Sequence, residues 1–224
     1  MHVQSKPAIL YFGTPVVIIS TLSEDGSSNI APMSSAFWLG WRCLLGLDAS
    51  SKTTQNLLRT GECVLNLPSE QQAAHVNALA LTTGSRPVPP HKVKRGYQHV
   101  HAKFERAGLS PQRSDTVGPP RVRECPVQLE AVLESSHELA QSDARQRGLV
   151  RICEVRIRRV HVEASLLLEG HADRIDPDKW RPLITSFQQF YGLSARQVHT
   201  SALATIREVL YRGDAEQRAL PTTD

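Results

Sequence analysis

The chain has 224 residues, of which 40% are hydrophobic and 21% are charged. This balance is typical of a soluble globular protein and excludes a disordered, highly charged chain. A formal net charge of +4 favours anionic ligands but is too small to indicate nucleic acid by itself. No apolar run approaches the roughly 20 residues that span a bilayer, and no basic-then-apolar leader opens the sequence. We therefore expect a cytoplasmic protein that binds neither membrane nor nucleic acid.

Four cysteines lie far apart in the sequence, and no two of them form a Cys-x-x-Cys pair. Three of them have apolar, strand-like neighbours, and the other precedes a proline. This pattern indicates small buried thiols in a protein of a reducing compartment. The four residues are Cys43, Cys63, Cys125 and Cys153.

Apolar and β-branched runs between turn signals predict at least six strands. The first run is apolar on both faces, and Asp25-Gly26 after it marks a tight turn to a returning strand. The last run alternates apolar residues with arginines, which we interpret as the solvated face of a long antiparallel pair. The predicted strands cover residues 15–22, 29–37, 41–48, 62–67, 127–133 and 148–162.

Helices are predicted between these strands. In the segment 51–60, Ser50 or Ser51 can cap the start, Leu57 and Leu58 can face the core, and Gly61 suits the position after the end. The segment 82–95 is a loop that is either a basic arm reaching a ligand or a solvated connection. Further helical patterns cover 69–81 with Ala73, Val76, Ala80 and Leu81 apolar, 97–107, 183–190 with Leu183, Ile184, Phe187 and Phe190 on one side, and 194–211.

The order of these elements predicts the fold class. Mostly antiparallel strands with inserted helices suit a mainly β protein, a closed or nearly closed barrel with peripheral helices, because closure removes unprotected sheet edges. We expect one domain over residues 1–224, with a helical extension from about residue 176 and a frayed end after Arg212.

The stretch 51–56 is a candidate phosphate site. The first turn of a helix has backbone N–H groups without intrahelical partners, and the helix dipole favours an anion there. Lys52 adds a mobile charge, and Thr53 and Thr54 add hydroxyl donors. A capped surface helix with a solvated lysine is the alternative.

The stretch 29–35 is a candidate site for a flat polar ring. Pro32 restricts the backbone, and Ser34 and Ser35 present hydroxyl and main-chain N–H groups. An ordinary polar start of a strand is the alternative. A ring site and a phosphate site next to each other are what a flavin mononucleotide requires.

Several short motifs follow one another in a specific order and spacing: Val16–Leu22, Asp25-Gly26, Asn29, Ala31-Pro32, Ser34-Ser35-Ala36-Phe37, Lys52-x-Thr54-x-Asn56, Gly61–Asn66, Lys103–Ser110, Pro119–Val122, Cys125–Glu130 and Asp176–Leu183 followed by Tyr191. Over roughly residues 8–192 these motifs resemble those of the flavin reductase-like, FMN-binding split-barrel family. The resemblance implies an antiparallel split barrel, a homodimer, and FMN near the subunit interface. The sequence departs from the family pattern at Thr53, where an acidic residue is common, and at Met33.

The resemblance also implies which residues hold the cofactor. Asn29, Ala31, Pro32, Met33, Ser34 and Ser35 would line the ring, Ser51, Lys52, Thr53 and Thr54 would hold the phosphate, Asn56 would support that loop, and Asn66 and Leu67 would contribute from the next strand. The implied activity is NAD(P)H-dependent flavin reduction, with a flavin-dependent oxygenase or another acceptor as possible partner. A flavin-binding electron carrier without a nicotinamide site is the alternative.

Other side chains leave their roles open. His99 and His101 could form a metal pair, but exposed or hydrogen-bonded histidines are the stronger interpretation, and we predict no metal site. His161 and His171 could approach a pocket, and His137 is predicted at the surface. Trp180 and Tyr191 could cover the flavin or pack in a core or interface. We predict no particular catalytic acid or base.

Overall fold

A computed structural model describes residues 1–194 and 196–211, except the side chain of Val209. Its main element is a seven-stranded antiparallel sheet in the order β3-β2-β6-β11-β12-β5-β4. Each predicted strand has a counterpart, but the one at 29–37 is divided into two strands, and the first strand of the late pair extends to Glu138. The strands of this sheet are β2 (Val17–Leu22), β3 (Ser28–Met33), β4 (Ala36–Leu39), β5 (Arg42–Asp48), β6 (Glu62–Leu67), β11 (Val127–Glu138) and β12 (Val150–Val162).

Chain connectivity shows that this sheet curls into a barrel. β3 and β4 form the two opposite edges of the sheet, yet only Ser34 and Ser35 lie between them in the sequence. Three Cα–Cα steps span at most about 11 Å, so the two edges meet. The backbone N–H of Gly46 in β5 donates to the carbonyl of Ser35 at 2.8 Å and ties this junction to the sheet. The barrel is split where β3 ends and β4 begins.

The strand β2 has a core on each of its faces, as its unbroken apolar run predicts. Val17 and Ile19 point into the barrel and pack with Leu45, Leu65 and other strand residues. Ile18, on the opposite face, packs in a second cluster against helical residues that include Val76 and Leu79. Pro32 lies in β3, at the edge of the sheet, where a missing N–H removes no ladder hydrogen bond that a central strand would need.

Four short helices lie around the barrel. Helix α1 begins and ends as predicted, with Ser51 as N-cap and Gly61 left-handed at its end. The predicted helix at 69–81 is a 3-10 turn followed by α2, and it buries Leu79 where Ala80 and Leu81 had been expected. Only the end of the predicted helix at 97–107 is helical. The helices are α1 (Lys52–Thr60), α2 (Ala73–Leu79), α3 (Pro90–Val93) and α4 (Lys103–Ala107).

A three-stranded sheet corrects the prediction for the residues after 182. The helical phase at 183–190 is wrong, because this segment forms a β-hairpin whose first strand pairs with the start of the chain. Its turn has Phe187 and Gln188 at positive φ, and the Phe187 ring packs edge-on against Phe12 at 4.9 Å. This sheet contains β1 (Phe12–Pro15), β13 (Ile184–Ser186) and β14 (Gln189–Tyr191), and two-residue strands elsewhere form β7 (Thr82–Thr83), β8 (Gln98–His99), β9 (Pro111–Gln112) and β10 (Arg121–Val122).

The predicted tail helix at 194–211 is also wrong for the part of the chain that the structure describes. That part has only short 3-10 turns, at Ala202–Thr205 and Glu208–Tyr211. The predicted fraying after Arg212 lies outside the described residues. None of the helices described is long and apolar enough to cross a membrane.

The four cysteines are buried and free, as predicted. Burial raises the pKa of each thiol, and that of Cys43 to about 12. The thiols of Cys43, Cys63 and Cys153 lie in the barrel core, whereas Cys125 belongs to the second cluster. They act as small apolar side chains.

Two adjacent leucines of α1 provide a test of the packing. Leu57 is fully buried in the barrel core, whereas Leu58 is 42% exposed, which corrects the prediction that both face the core. We expect Leu57→Ala to lower the free energy of unfolding by about 2–5 kcal/mol through lost burial and a cavity. Leu58→Ala serves as the control and should change it by less than about 1 kcal/mol. Urea unfolding followed by circular dichroism measures both, and equal losses would contradict this placement of α1.

Candidate functional site

A cavity of about 430 Å³ opens at the split of the barrel. Its walls come from the β3–β4 junction, the start of α1, the end of β5 and the segment 79–103. Most of the residues predicted from the sequence meet here. Those that line the cavity are Asn29, Ala31, Pro32, Met33, Ser34, Ser35, Ser51, Lys52 and Thr53.

The start of α1 forms one end of the cavity. The Ser51 hydroxyl accepts a hydrogen bond from the Thr54 N–H at 3.1 Å, which leaves other first-turn N–H groups without an intrahelical partner. Lys52 forms an ion pair with Glu24, and the hydrogen bond from Lys52 lowers the pKa of the Glu24 carboxylate. This end has the donors and the charge that an anion requires.

Thr54 and Asn56 do not line the cavity, and the sequence had placed Thr54 on the phosphate. Thr54 is fully buried, and its hydroxyl donates to the Asp48 carbonyl at 2.8 Å. Asn56 is also buried, and its amide donates to the Thr21 hydroxyl at 3.1 Å. Both side chains fix the helix start against the barrel, as the support predicted for Asn56 requires.

Asn29 connects the sheet to the helix. Its amide nitrogen donates to the Thr53 hydroxyl at 3.2 Å, whereas its Oδ1 is buried without a hydrogen-bond partner in the described part of the chain. Gly84 approaches so closely that a Cβ there would lie 2.5 Å from Asn29 Oδ1 and 3.1 Å from Lys52 Cγ. A buried acceptor without a partner is costly, so this position favours a ligand that donates a hydrogen bond.

The β3–β4 junction forms the flat wall of the cavity. Ala31, Pro32 and Met33 run along it, and Ser34 and Ser35 turn from one barrel edge to the other. The hydroxyls of Tyr11 and Ser35 are 2.6 Å apart, which holds the segment before β1 beside this wall. Small side chains and exposed main-chain groups suit a planar ring with a polar edge.

Asn66 and Leu67, the remaining predicted cofactor contacts, lie behind the wall. The Asn66 amide donates to the Ile18 carbonyl at 2.9 Å, and its Oδ1 accepts from the Val122 N–H at 2.7 Å. Leu67 packs against the barrel core. Neither side chain lines the cavity, so both belong to the support of the strands.

Three basic residues of the cavity escaped prediction. Lys92 lies 3.6 Å from the Asp48 carboxylate, and Arg95 is exposed at the cavity wall. Lys103 is 2% exposed and donates to the Ile30 carbonyl at 3.0 Å. The basic run at 91–95 was the available signal for the first two, since one of its two interpretations was an arm that reaches a ligand. Lys103 gave no signal beyond its place in a family motif.

A separate cluster surrounds Glu130, which is fully buried on β11. Its carboxylate accepts from the backbone N–H groups of Asp115 and Thr116 at 2.8 and 2.5 Å, and it lies 2.8 Å from His161 Nε2. Burial raises the pKa of Glu130, but these hydrogen bonds outweigh it and lower the pKa to about 2. Asp115, Glu130 and His161 could face a metal, but these bonds already occupy the buried carboxylate. We interpret the cluster as a latch between a loop and the barrel.

The other side chains of open role lie away from the cavity. Trp180 packs against the barrel core, and Tyr191 is 55% exposed on β14. His161 lines an open groove on the far side of β12, and His137 is exposed as predicted. His171 is exposed and lines none of the cavities described.

Comparison with known proteins shows the family and agrees with the fold. The model of the flavin reductase like domain matches residues 9–194. The protein YdfE of Bacillus subtilis, which is uncharacterised, is 38% identical over 190 residues, 84% of this chain and 87% of its own length. The chain belongs to the flavin reductase-like family, as its motifs indicated.

Solved structures show the same split-barrel fold. Flavoredoxin of Desulfovibrio vulgaris (Miyazaki F) has a TM-score of 0.71 and 19% identity, and the alignment covers 92% of this chain and 99% of that one. Nitrilotriacetate monooxygenase component B from Bacillus cereus has a TM-score of 0.67 and 21% identity, with 84% and 88% covered. The mainly β, antiparallel split-barrel fold with peripheral helices is therefore confirmed.

Proposed function

We propose that the chain binds FMN in the cavity at the barrel split and acts as an NAD(P)H-dependent flavin oxidoreductase. The observation that carries the proposal is that the β3–β4 junction, residues 31–35, meets in one cavity a helix start that carries Ser51, Lys52 and Thr53. Family membership supports a flavin. The helix start supports a flavin with a terminal phosphate.

The charges around the cavity support FMN over riboflavin. Among the described residues, four cations line the cavity, and two carboxylates, Asp48 in its wall and Glu24 beside Lys52, oppose them. The excess of two positive charges matches a phosphate monoester, which carries a charge of about −1.5 to −2 at neutral pH. The four cations are Lys52, Lys92, Arg95 and Lys103.

The residues of this chain would bind and orient the cofactor. When bound, FMN would supply the hydride and electron chemistry. Ser51 would hold the helix start in place, and the Thr53 hydroxyl and the first-turn N–H groups would donate to the phosphate beside Lys52. The free Oδ1 of Asn29 would accept a hydrogen bond from a hydroxyl of the cofactor. The wall at 31–35 would exclude water from one face of the ring, and the opposite face would receive a nicotinamide.

The surroundings of the protein follow from the same proposal. We expect a cytoplasmic homodimer, and exposed aromatic side chains beside the cavity, Tyr11 and Phe12 among them, offer a surface for a second copy. Because one structural neighbour is a monooxygenase component B, a flavin-dependent oxygenase is a candidate electron acceptor. A flavin-binding electron carrier remains the second candidate, favoured by the structural likeness to flavoredoxin.

Absorption spectroscopy tests the proposal. We expect the purified protein to show a two-band flavin spectrum or to bind FMN saturably at micromolar concentration. NADH or NADPH, added anaerobically, should then bleach the flavin in stoichiometric amounts and support rapid turnover with an acceptor. If FMN binds but neither nicotinamide reduces it, the electron carrier is the correct function. Absence of FMN binding would contradict both.

A further inference from the structure

The most unusual charge in the cavity is the ammonium group of Lys103. The residue is 2% exposed, and its hydrogen bond joins it to a backbone carbonyl, that of Ile30. Among the residues that the structure describes, no carboxylate forms an ion pair with it. A buried cation without a counter-charge is costly, and its removal from water is offset only when an anion arrives or the proton leaves.

The charge that acts most on Lys103 among the described residues is that of another cation, Lys92. Its helix, α4, packs against α2 and β3. β3 carries no titratable side chain, and His75 of α2 is bonded to the far end of α4, at the Ala107 carbonyl. Burial, and then the charge of Lys92, lower the pKa of Lys103 to about 8. Lys92 itself is held beside Asp48 at 3.6 Å.

Two uncompensated groups therefore share one cavity: a cation without an anion and, at Asn29 Oδ1, an acceptor without a donor. They are adjacent along the chain of β3, because the carbonyl that holds Lys103 follows Asn29 directly. A phosphate-bearing flavin offers both complements, a negative charge and hydroxyl donors.

We propose that the ammonium group of Lys103 pairs with the anionic part of FMN, so that this lysine responds to the charge of the ligand. Above neutral pH, the cavity therefore takes up a proton as FMN binds. The inference rests on the proposed function and names the group that makes binding selective for charge. The step is a proton transfer from solvent to the neutral amine of Lys103, and no bond to the ligand forms. An anion nearby favours the charged form of the lysine and so raises its affinity for that proton.

The affinity should then depend on pH in a defined way. Around pH 7, Lys103 is mostly charged with or without ligand, so the Kd of FMN should change little with pH there. Above pH 8 the free protein loses the proton while the complex keeps it, and the Kd should rise by up to about tenfold per pH unit. Riboflavin, which has the same ring but no phosphate, should show no such rise between pH 7 and 9.

Titration calorimetry measures the proton directly. At pH 8.5, in buffers of different ionisation enthalpy, wild-type protein should take up roughly half a proton or more per FMN, and at pH 7 much less. Lys103→Met should bind FMN at least about tenfold more weakly at pH 7 and take up no proton at pH 8.5. Lys94→Met is the charge control, since Lys94 is exposed and does not line the cavity, and it should behave as wild type.

The outcomes separate this inference from the proposed function. FMN that binds wild-type protein without proton uptake at pH 8.5 would overturn the role of Lys103 and leave the FMN site standing. Equal uptake with riboflavin, or in Lys103→Met, would assign the proton to another group. No binding of FMN at pH 7 would overturn the proposed function. The wild-type measurement decides the matter even if Lys103→Met does not fold.

Discussion

Lys52→Met is expected to weaken FMN about 10- to 100-fold while changing riboflavin little. A charge-assisted hydrogen bond contributes about 1.5–3 kcal/mol, and only FMN carries the phosphate that would receive it. Lys52 is the cation of the α1 start, and the neutral donors beside it, the Thr53 hydroxyl and the first-turn N–H groups, cannot replace its charge. Quenching of flavin fluorescence during titration with apoprotein measures both dissociation constants.

A second variant shows whether the lysine acts through its charge. Glu24 holds Lys52 in an ion pair in the free protein, so Glu24→Gln should leave FMN binding unchanged or tighten it a few-fold. Lys94→Met, which removes a charge outside the cavity, should have no effect on either flavin. Equal losses of FMN and riboflavin in Lys52→Met would show that the helix start does not hold the phosphate.

Glu130→Gln is expected to destabilise the protein by about 3 kcal/mol at pH 7. The carboxylate of Glu130 has a pKa of about 2 in the folded protein, against 4.5 as its ordinary value. Each pKa unit corresponds to about 1.4 kcal/mol, and a glutamine replaces an acceptor of the Thr116 and Asp115 N–H groups by a competing donor. Thermal and urea unfolding measure the loss.

The sign of the pH dependence follows from the lowered pKa. The unfolded chain protonates Glu130 near pH 4.5 and the folded protein near pH 2, so the stabilisation is complete above pH 4.5 and is lost as the pH falls towards 2. The difference between wild type and Glu130→Gln should therefore shrink over this range. Glu134→Gln is the control on the same strand, because its half-exposed ion pair with Arg156 contributes less than about 1 kcal/mol. A difference that does not vary with pH would contradict the latch.

Local patterns were sufficient for the barrel and for the two stretches at its split. The run at 15–22 and the turn at Asp25-Gly26 predicted a hairpin because residues close in sequence determine it. The capped start and glycine end of α1 were readable for the same reason. In both cases the local structure depends on residues that are close in sequence, so the sequence pattern alone was sufficient to predict it.

Long-range pairing explains why the prediction for residues 183–190 failed. The segment 184–191 is a hairpin because β1, at the other end of the chain, offers it an edge to pair with, and helical spacing of Leu183, Phe187 and Phe190 arose by coincidence.

Thr54 was assigned to the phosphate because its spacing suits a first-turn donor. The structure uses its hydroxyl to anchor the helix on the Asp48 carbonyl instead.

The cations of the site show the same limit. Lys52 lies in a helix start, where a physical rule indicates an anion. Lys103 lies about fifty positions later, and its relevance depends on a fold that carries it under the wall beside Ile30. No local pattern distinguishes such a lysine from a solvated one. Its burial is the property that matters, and burial is set by the whole chain.

The burial of the cysteines affects how easily the protein is oxidised. Reduced flavins react with O₂ to form peroxide, so a protein that holds one is exposed to an oxidant made inside its own cavity. Peroxide attacks thiolates, and a thiol whose pKa is raised to about 12, as that of Cys43 is, has almost none at neutral pH. By burying all four thiols, the fold keeps them inert towards the by-product of the proposed chemistry.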